Sequence, residues 1–341
     1  MNIVVDGHGG DHAPKEVLKG IYQFLSEDSP PDTNIIITGK KSVLLEEYPK
    51  LFEKFKDRVK IVHTDDIVEM DESPSNAIKK INSSMMVGLD LVKRGEGDAF
   101  VSAGNSGAIM AGALLRIGRI KGIHRPALAT FMPSFGNGVN LLIDVGANVD
   151  SKPRNILEFA LMGTIYVKSI FGIDEPTVGL LSIGEEETKG NKLVSESYAI
   201  LKNSNLNFIG NVEGNDILTG RANVVVCDGF VGNVLLKFGE GVVKNLYNLF
   251  KKEMKHNPLN FIGIIFLIPL IKRLKKILDY AEYGGAPLLG VKKTCIISHG
   301  RSKARAIKNA IRVAKEFAQH KGIERIEEEI IKFKGDRENE Q

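Results

Sequence analysis

Short apolar runs rich in Val and Ile recur along the chain, each followed by a glycine-bearing turn and then a stretch with helical spacing. The runs predict strands at Asn2–Asp6, Asn34–Thr38, Val59–His63, Asp98–Ser102, Ala127–Met132, Asn140–Asp144, Thr177–Ser182, Asn207–Gly210, Asn223–Cys227 and Thr294–Ser298. Most show no polar alternation, which is the pattern of parallel strands covered on both faces. The intervening spacing predicts amphipathic helices, among them Pro14–Glu27, Asn76–Arg94, Pro153–Ile170, Lys192–Asn203 and Ser302–His320. Pro14 and Pro153 stand near helix starts, where a missing N–H costs little. Strand and helix in alternation predict a three-layer α/β/α sandwich with a mostly parallel sheet and right-handed crossovers.

Two segments leave that rhythm. From about 232 to 283, two long helical patterns follow each other without a strand, which predicts a helical hairpin projecting from the sheet body. The polar segment from Lys332 onward is expected to fray. No fixed-period repeat or low-complexity linker divides the rest, so residues 1–331 read as one domain and 332–341 as a polar tail.

Hydrophobic residues make up 43% of the 341 and charged residues 26%, which argues against both wholesale disorder and a polytopic membrane protein. Two cysteines without CxxC spacing cannot build a disulfide framework or a Cys-rich metal site. The opening MNIVVDGHGG reads as strand and turn, not as a signal peptide, and predicts a cytoplasmic location. A net charge of +4 argues against a general nucleic-acid binder.

The positive charge is local. Between Lys251 and Lys276, seven basic residues face one acid, Glu253, so this segment carries +6 and the remainder −2. These cations flank Leu259–Ile271, thirteen residues without a charge. As a helix the segment spans about 20 Å, short of the ~30 Å hydrocarbon core, so it cannot cross a bilayer. Two readings stay open. It is a helix buried in a core or dimer interface, or it dips Phe261, Ile264, Ile265, Phe266 and Leu267 into a leaflet while its lysines meet anionic headgroups.

In an open α/β sheet, ligands bind beyond the carboxyl ends of the strands. Six glycine-bearing turns fall there: Asp6–His12, Ser102–Ala108, Asp144–Asn148, Ser182–Asn191, Cys227–Asn233 and Ser298–Gly300. Glycine admits close backbone approach and helix starts offer N–H donors, so together the turns point to an anion-handling site. The chain has no GxxxxGKS/T loop, and GHGGDH lacks the closing glycine of a dinucleotide fingerprint. No HExxH occurs, and His8 and His12 precede their helix, so no metal site is expected. GNSGA at Gly104–Ala108 comes within one residue of a nucleophile elbow. Ser106 is therefore either a nucleophile, with His12 or His299 as base, or one of two residues, with Asn105, that cap the following helix. Cys227 is a nucleophile or a small buried hydrophobe. Lys189, beside Gly190 and Asn191, suits phosphate binding or carbonyl polarisation, or is an ordinary solvated lysine.

Asp6–Pro14 (DGHGGDHAP), Ser102–Ala108 (SAGNSGA), Gly118–Ala127 (GRIKGIHRPA), Leu142–Asp150 (LIDVGANVD), Gly184–Asn191, Asp228–Lys237 (DGFVGNVLLK) and Tyr283–Gly290 (YGGAPLLG) together resemble the bacterial phosphate acyltransferases of phospholipid synthesis. The resemblance runs from residue 1 to about 320; His8 departs from it, standing where the family more often has Met. It implies a fold like that of the isocitrate/isopropylmalate dehydrogenase and phosphotransacetylase group, a homodimer, no cofactor and peripheral association with the inner face of the membrane. The implied reaction joins a fatty acyl group from acyl carrier protein to inorganic phosphate, and a membrane glycerol-3-phosphate acyltransferase uses the acyl phosphate. Phosphate is then itself the nucleophile. Gly104, Asn105, Ser106 and Gly107 would hold it with Lys189, Asn233 would orient or polarise the carbonyl, and Asp6, His12, Asp144 and Asn148 would shape the cleft.

Other expectations remain beside this one: a short-chain phosphate acyltransferase acting on acyl-CoA, a serine hydrolase using Ser106, a nicotinamide-dependent dehydrogenase of the same fold group, and a membrane-surface scaffold. The dehydrogenase would need an Asp cluster and a cofactor loop that the sequence lacks, and the scaffold would leave six glycine turns idle.

Overall fold

The computed structural model describes residues 1–27, 32–136, 138–256 and 284–339. The strands are β1 (Asn2–Asp6), β2 (Asn34–Gly39), β3 (Val59–His63), β4 (Ala99–Ser102), β5 (Ala127–Phe131) and β6 (Leu141–Ile143). They continue with β7 (Val178–Leu181), β8 (Phe208–Val212), β9 (Val224–Val226), β10 (Ala286–Leu289) and β11 (Thr294–Ile297). All lie in one sheet of order β3-β2-β1-β4-β11-β10-β5-β6-β9-β7-β8.

The sheet has two parallel halves of opposite direction. β3, β2, β1, β4 and β11 run one way, and β6, β9, β7 and β8 run the other. Three antiparallel pairings, β11–β10, β10–β5 and β5–β6, join them. Six inter-strand steps separate β1 from β9. At ~20–25° of twist per step these accumulate to about 120–150°. The twist therefore undoes most of the reversal, turning the carboxyl ends of both halves toward one side.

Alternation along each strand fills both faces. Ile3, Val5, Ile35, Ile37, Leu141, Ile143, Val224 and Val226 face one core, where α1 (Lys15–Glu27), α7 (Pro153–Phe171), α10 (Ala304–Gln319) and α11 (Gly322–Asn339) pack. Val4, Ile36 and Phe100 face the opposite core, with α5 (Ser84–Lys93) and α6 (Ser106–Arg116). Behind the second half, Leu142 and Val225 are covered by Ile217 and by Leu235 and Leu236 of α9 (Gly229–His256), a thinner layer. The remaining helices are α2 (Lys41–Glu47), α3 (Pro49–Lys54), α4 (Pro74–Ala77) and α8 (Lys192–Lys202).

Several expectations change in detail. β10 was not foreseen, and the run read as one helix over Asn76–Arg94 is divided into α4 and α5. The break comes where Ser83 Oγ accepts a hydrogen bond from Met86 N at 3.4 Å and caps α5. The last helix runs on to Asn339 through most of the segment expected to fray. α9 is a single helix to His256, whereas the hairpin tip, with Phe261, Ile264, Ile265, Phe266 and Leu267, lies outside the described residues. Among the described residues no helix is long and apolar enough to cross a membrane.

Candidate functional site

β1 ends in Asp6, which is buried. Its carboxylate accepts hydrogen bonds from Ser102 Oγ at 2.8 Å and from His8 N at 3.1 Å, while Ser102 Oγ accepts from Gly104 N at 3.0 Å. One acid thus joins the first turn to the second. Asn105 caps α6 by accepting from Ala108 N at 3.0 Å, and its amide donates to the carbonyls of Met70 at 2.9 Å and Glu72 at 2.8 Å. Asp11 N donates to Gly300 O at 2.8 Å, which adds the turn after β11. His12 and Ser106 are exposed, and neither side chain hydrogen-bonds to a described residue. His8 Nε2 accepts from Lys40 N at 3.0 Å, so that nitrogen carries no proton; burial lowers the imidazole's pKa.

β6 ends before Asp144, also buried. Its carboxylate accepts from Ala147 N at 2.8 Å, Gly146 N at 3.3 Å, Asn148 N at 2.9 Å and Asn148 Nδ2 at 2.8 Å. The same Asn148 amide donates to Pro126 O at 2.7 Å. Burial nevertheless raises the Asp144 pKa, and these hydrogen bonds oppose the rise. The start of α9 rests on this turn. Gly229 N donates to Asn148 O at 2.8 Å, and a Cβ at Gly232 would lie 2.0 Å from Asp144 O. Only glycine permits that approach. Asn233 follows immediately and packs over Gly146, where a Cβ would stand 3.4 Å from Asn233 Cγ. The Asn233 side chain is exposed and forms no hydrogen bond with a described residue.

The two rims meet along α9. His299, in the turn after β11, lies within electrostatic reach of Lys237 and Glu240 of α9 and of Asp11 and Arg301. Burial lowers its pKa most, with Lys237 and Arg301 acting in the same direction and Glu240 and Asp11 against it. Lys237 and Glu240 follow Asn233 by four and seven residues, on the same helix face and about 6 and 10 Å along the axis. Hence the Asp144 turn and the His299 turn flank neighbouring turns of one helix.

Lys189 sits on the loop between β7 and α8. Its carbonyl accepts from Ser182 Oγ at 3.1 Å, and its side chain is exposed with no partner among the described residues. Two nearby acids are already engaged: Glu187 pairs with Lys202 at 2.8 Å and Glu185 with Arg221. A cavity of about 370 Å³ opens beside this loop, with Gly190 and Asn191 on one side and Asp228 and Val231 on the other. No hydrogen bond or ion pair joins Lys189 to the Gly104–Gly107 turn among the described residues.

Cys227 is buried, its Sγ 3.5 Å from Asp144 O. Burial, with Asp144 and Asp228 adding, raises the thiol's pKa well above its ordinary value, so it acts as a small core residue. Sequence reasoning brought the Ser298–Gly300 turn to the rim but left Arg301, Ser302 and Lys237 out of the site. The hydroxyls of Ser298 and Ser302 are buried without a partner among the described residues, on either side of the His299 turn. The glycine turn after β11 was the available signal; Arg301, Ser302 and Lys237 gave none.

A family model described as "Fatty acid synthesis protein" matches residues 1–325. A phosphate acyltransferase from Heliobacterium modesticaldum is 49% identical over 331 residues, covering 97% of this chain and 98% of its own. Another, from Desulfitobacterium hafniense, is 50% identical over 335 residues, covering 98% of each. Among solved structures, a branched-chain phosphotransacylase from Enterococcus faecalis aligns with a TM-score of 0.61 at 15% identity, over 94% of this chain and 100% of its own. A phosphotransacetylase from Staphylococcus aureus aligns with a TM-score of 0.58 at 16% identity, over 93% and 94%. At these identities the structural matches speak for the fold alone.

Proposed function

Because the chain belongs to the fatty acid synthesis protein family and, with relatives sharing half its residues, to the phosphate acyltransferases, we propose that it transfers a fatty acyl group from acyl carrier protein to inorganic phosphate by direct attack. A phosphate oxygen bonds to the thioester carbonyl carbon. The tetrahedral oxyanion then collapses, the C–S bond breaks, and the thiolate leaves with the electron pair and takes up a proton.

The observation that carries direct attack is the state of the candidate nucleophiles. Cys227 is a buried thiol held in its neutral form, and Ser106 has no hydrogen-bonded base among the described residues. The protein's task is then positioning and charge stabilisation. In this reading Lys189 and the donors at the start of α6, in the Gly104–Gly107 turn, neutralise phosphate. Asn233 donates to the carbonyl oxygen as it becomes an oxyanion. Asp6, Asp144 and Asn148 hold the turns in place, and His12 stands at the cleft edge.

We place the reaction at a membrane surface on the same footing. An acyl phosphate with a long tail prefers lipid, and a membrane glycerol-3-phosphate acyltransferase would consume it there. The exposed apolar side chains of α9, with Phe238 at 70%, Tyr247 at 58% and Leu246 at 50% exposure, support a contact surface for lipid or for a second copy. The lysines beyond them would attract anionic headgroups or an acidic carrier protein.

The test incubates the protein with palmitoyl-loaded acyl carrier protein, with and without phosphate, and traps acyl phosphate as the hydroxamate. Phosphate-dependent hydroxamate supports the reading. Phosphate-independent thioester loss favours a hydrolase using Ser106, and reaction only with short acyl-CoA favours the short-chain transferase.

A further inference from the structure

The geometry points to an acyl-chain subsite in the cavity beside Lys189, an inference that rests on the reading above and specifies where its substrate's hydrocarbon goes. The cavity lies between α7, α8 and the carboxyl ends of β7 and β9, walled by Ile156, Leu180, Leu193 and Val194. Its volume of about 370 Å³ fits on the order of a dozen groups of water or methylene size, at ~30 Å³ each. Ser182, Asn191 and Asp228 also line it, while the apolar walls suit a hydrocarbon, which leaves no hydrogen bond of its own unmet there.

Its mouth adjoins the chemistry. Gly190 on one lip follows Lys189, and Val231 on the other precedes Asn233 by two residues. Ile183 at the same mouth is 80% exposed and Val231 39%, an apolar doorway that a water-facing loop does not need. A carbonyl near Lys189 thus has this cavity within reach of its chain, because the next residue, Gly190, lines it.

Filling the cavity should therefore shorten the chain the enzyme accepts. In Val194→Phe and Ser197→Leu, each methylene denied burial costs about fourfold in kcat/KM. The experiment measures kcat/KM for palmitoyl and butyryl acyl carrier protein in the wild type and both variants, with thermal unfolding as a check on the fold. The expected result is a palmitoyl-to-butyryl preference reduced at least tenfold in both variants. Equal losses on the two donors, or an unchanged preference, overturn the subsite while leaving phosphate transfer standing. If the wild type forms no acyl phosphate from either donor, the functional reading fails, and calorimetry with dodecyl phosphate then judges the subsite. Binding weakened at least tenfold in Val194→Phe supports an alkyl-chain site, and equal binding in wild type and variant overturns it.

Discussion

The two halves of the sheet solve one problem in different ways. Each ends a strand at a buried aspartate that gathers a glycine turn, Asp6 in the first half and Asp144 in the second. In the first half the acid links two turns through Ser102, and the following helix is capped by Asn105. In the second half the acid is saturated by its own turn, and Asp228 closes the start of α9 by accepting from Phe230 N at 3.0 Å and Val231 N at 3.1 Å. An acidic residue already occupies that helix end, so it is poorly suited to phosphate. What it offers is a rigidly mounted Asn233. The lesson is a difference in build: one rim ends at a helix start capped by an amide, and the other at a helix start already closed by a carboxylate.

The largest break in this comparison comes from Gly232→Ala. Its Cβ would lie 2.0 Å from Asp144 O and 2.9 Å from Cys227 Sγ, so α9 must shift. We expect a stability loss of about 3 kcal/mol or more, beyond the usual overpacking cost, with activity lost, checked by denaturant unfolding and turnover. Next, Lys189→Ala and Asn233→Ala should each lower kcat by ~10²–10³. Both side chains are exposed and unpartnered among the described residues, so the melting temperature should hold. A coupled loss of stability would move those residues from chemistry to scaffolding.

Asn105→Ala should cost about 1–2 kcal/mol, read by chemical denaturation, because it removes a helix cap and two donors to the 70–72 loop. The mirror substitution Asp228→Ala removes a comparable cap from α9, and activity falling more than stability there would sharpen the contrast. The smallest effect concerns His8. Its folded pKa is below the ordinary 6.5, so the unfolded chain binds the proton more readily. Its contribution is fully present above pH 6.5 and is lost as pH falls from there toward the folded value. Thermal unfolding across this range should show a shallower pH slope in His8→Gln.

Much of this architecture is written in the chain. The unbroken runs at β1, β2, β4 and β9 and the aspartate-glycine turns beyond them are visible as pattern, because burial on both faces and tight turns restrict residue choice. β10 escaped because Ala286–Leu289 includes Pro287 and sits between glycines, a composition that reads as loop. The antiparallel centre escaped for another reason: β5 and β6 are apolar like their neighbours, and strand direction leaves no mark on periodicity. The meeting of the two rims on α9 depends on accumulated twist, which no local signal encodes. Lys189 and Asn233 were legible as loop and helix-start residues, but the packing of Asn233 over Gly146 was not.

The central claim is that phosphate attacks the thioester without a covalent intermediate on the protein. Mixing enzyme with palmitoyl acyl carrier protein in the absence of phosphate, quenching within one turnover time and weighing the intact protein tests it directly. The account predicts a protein mass unchanged by the acyl donor, with acyl phosphate appearing only when phosphate is added. A protein heavier by one palmitoyl group, competent to pass that group to phosphate and absent in Ser106→Ala, would contradict it.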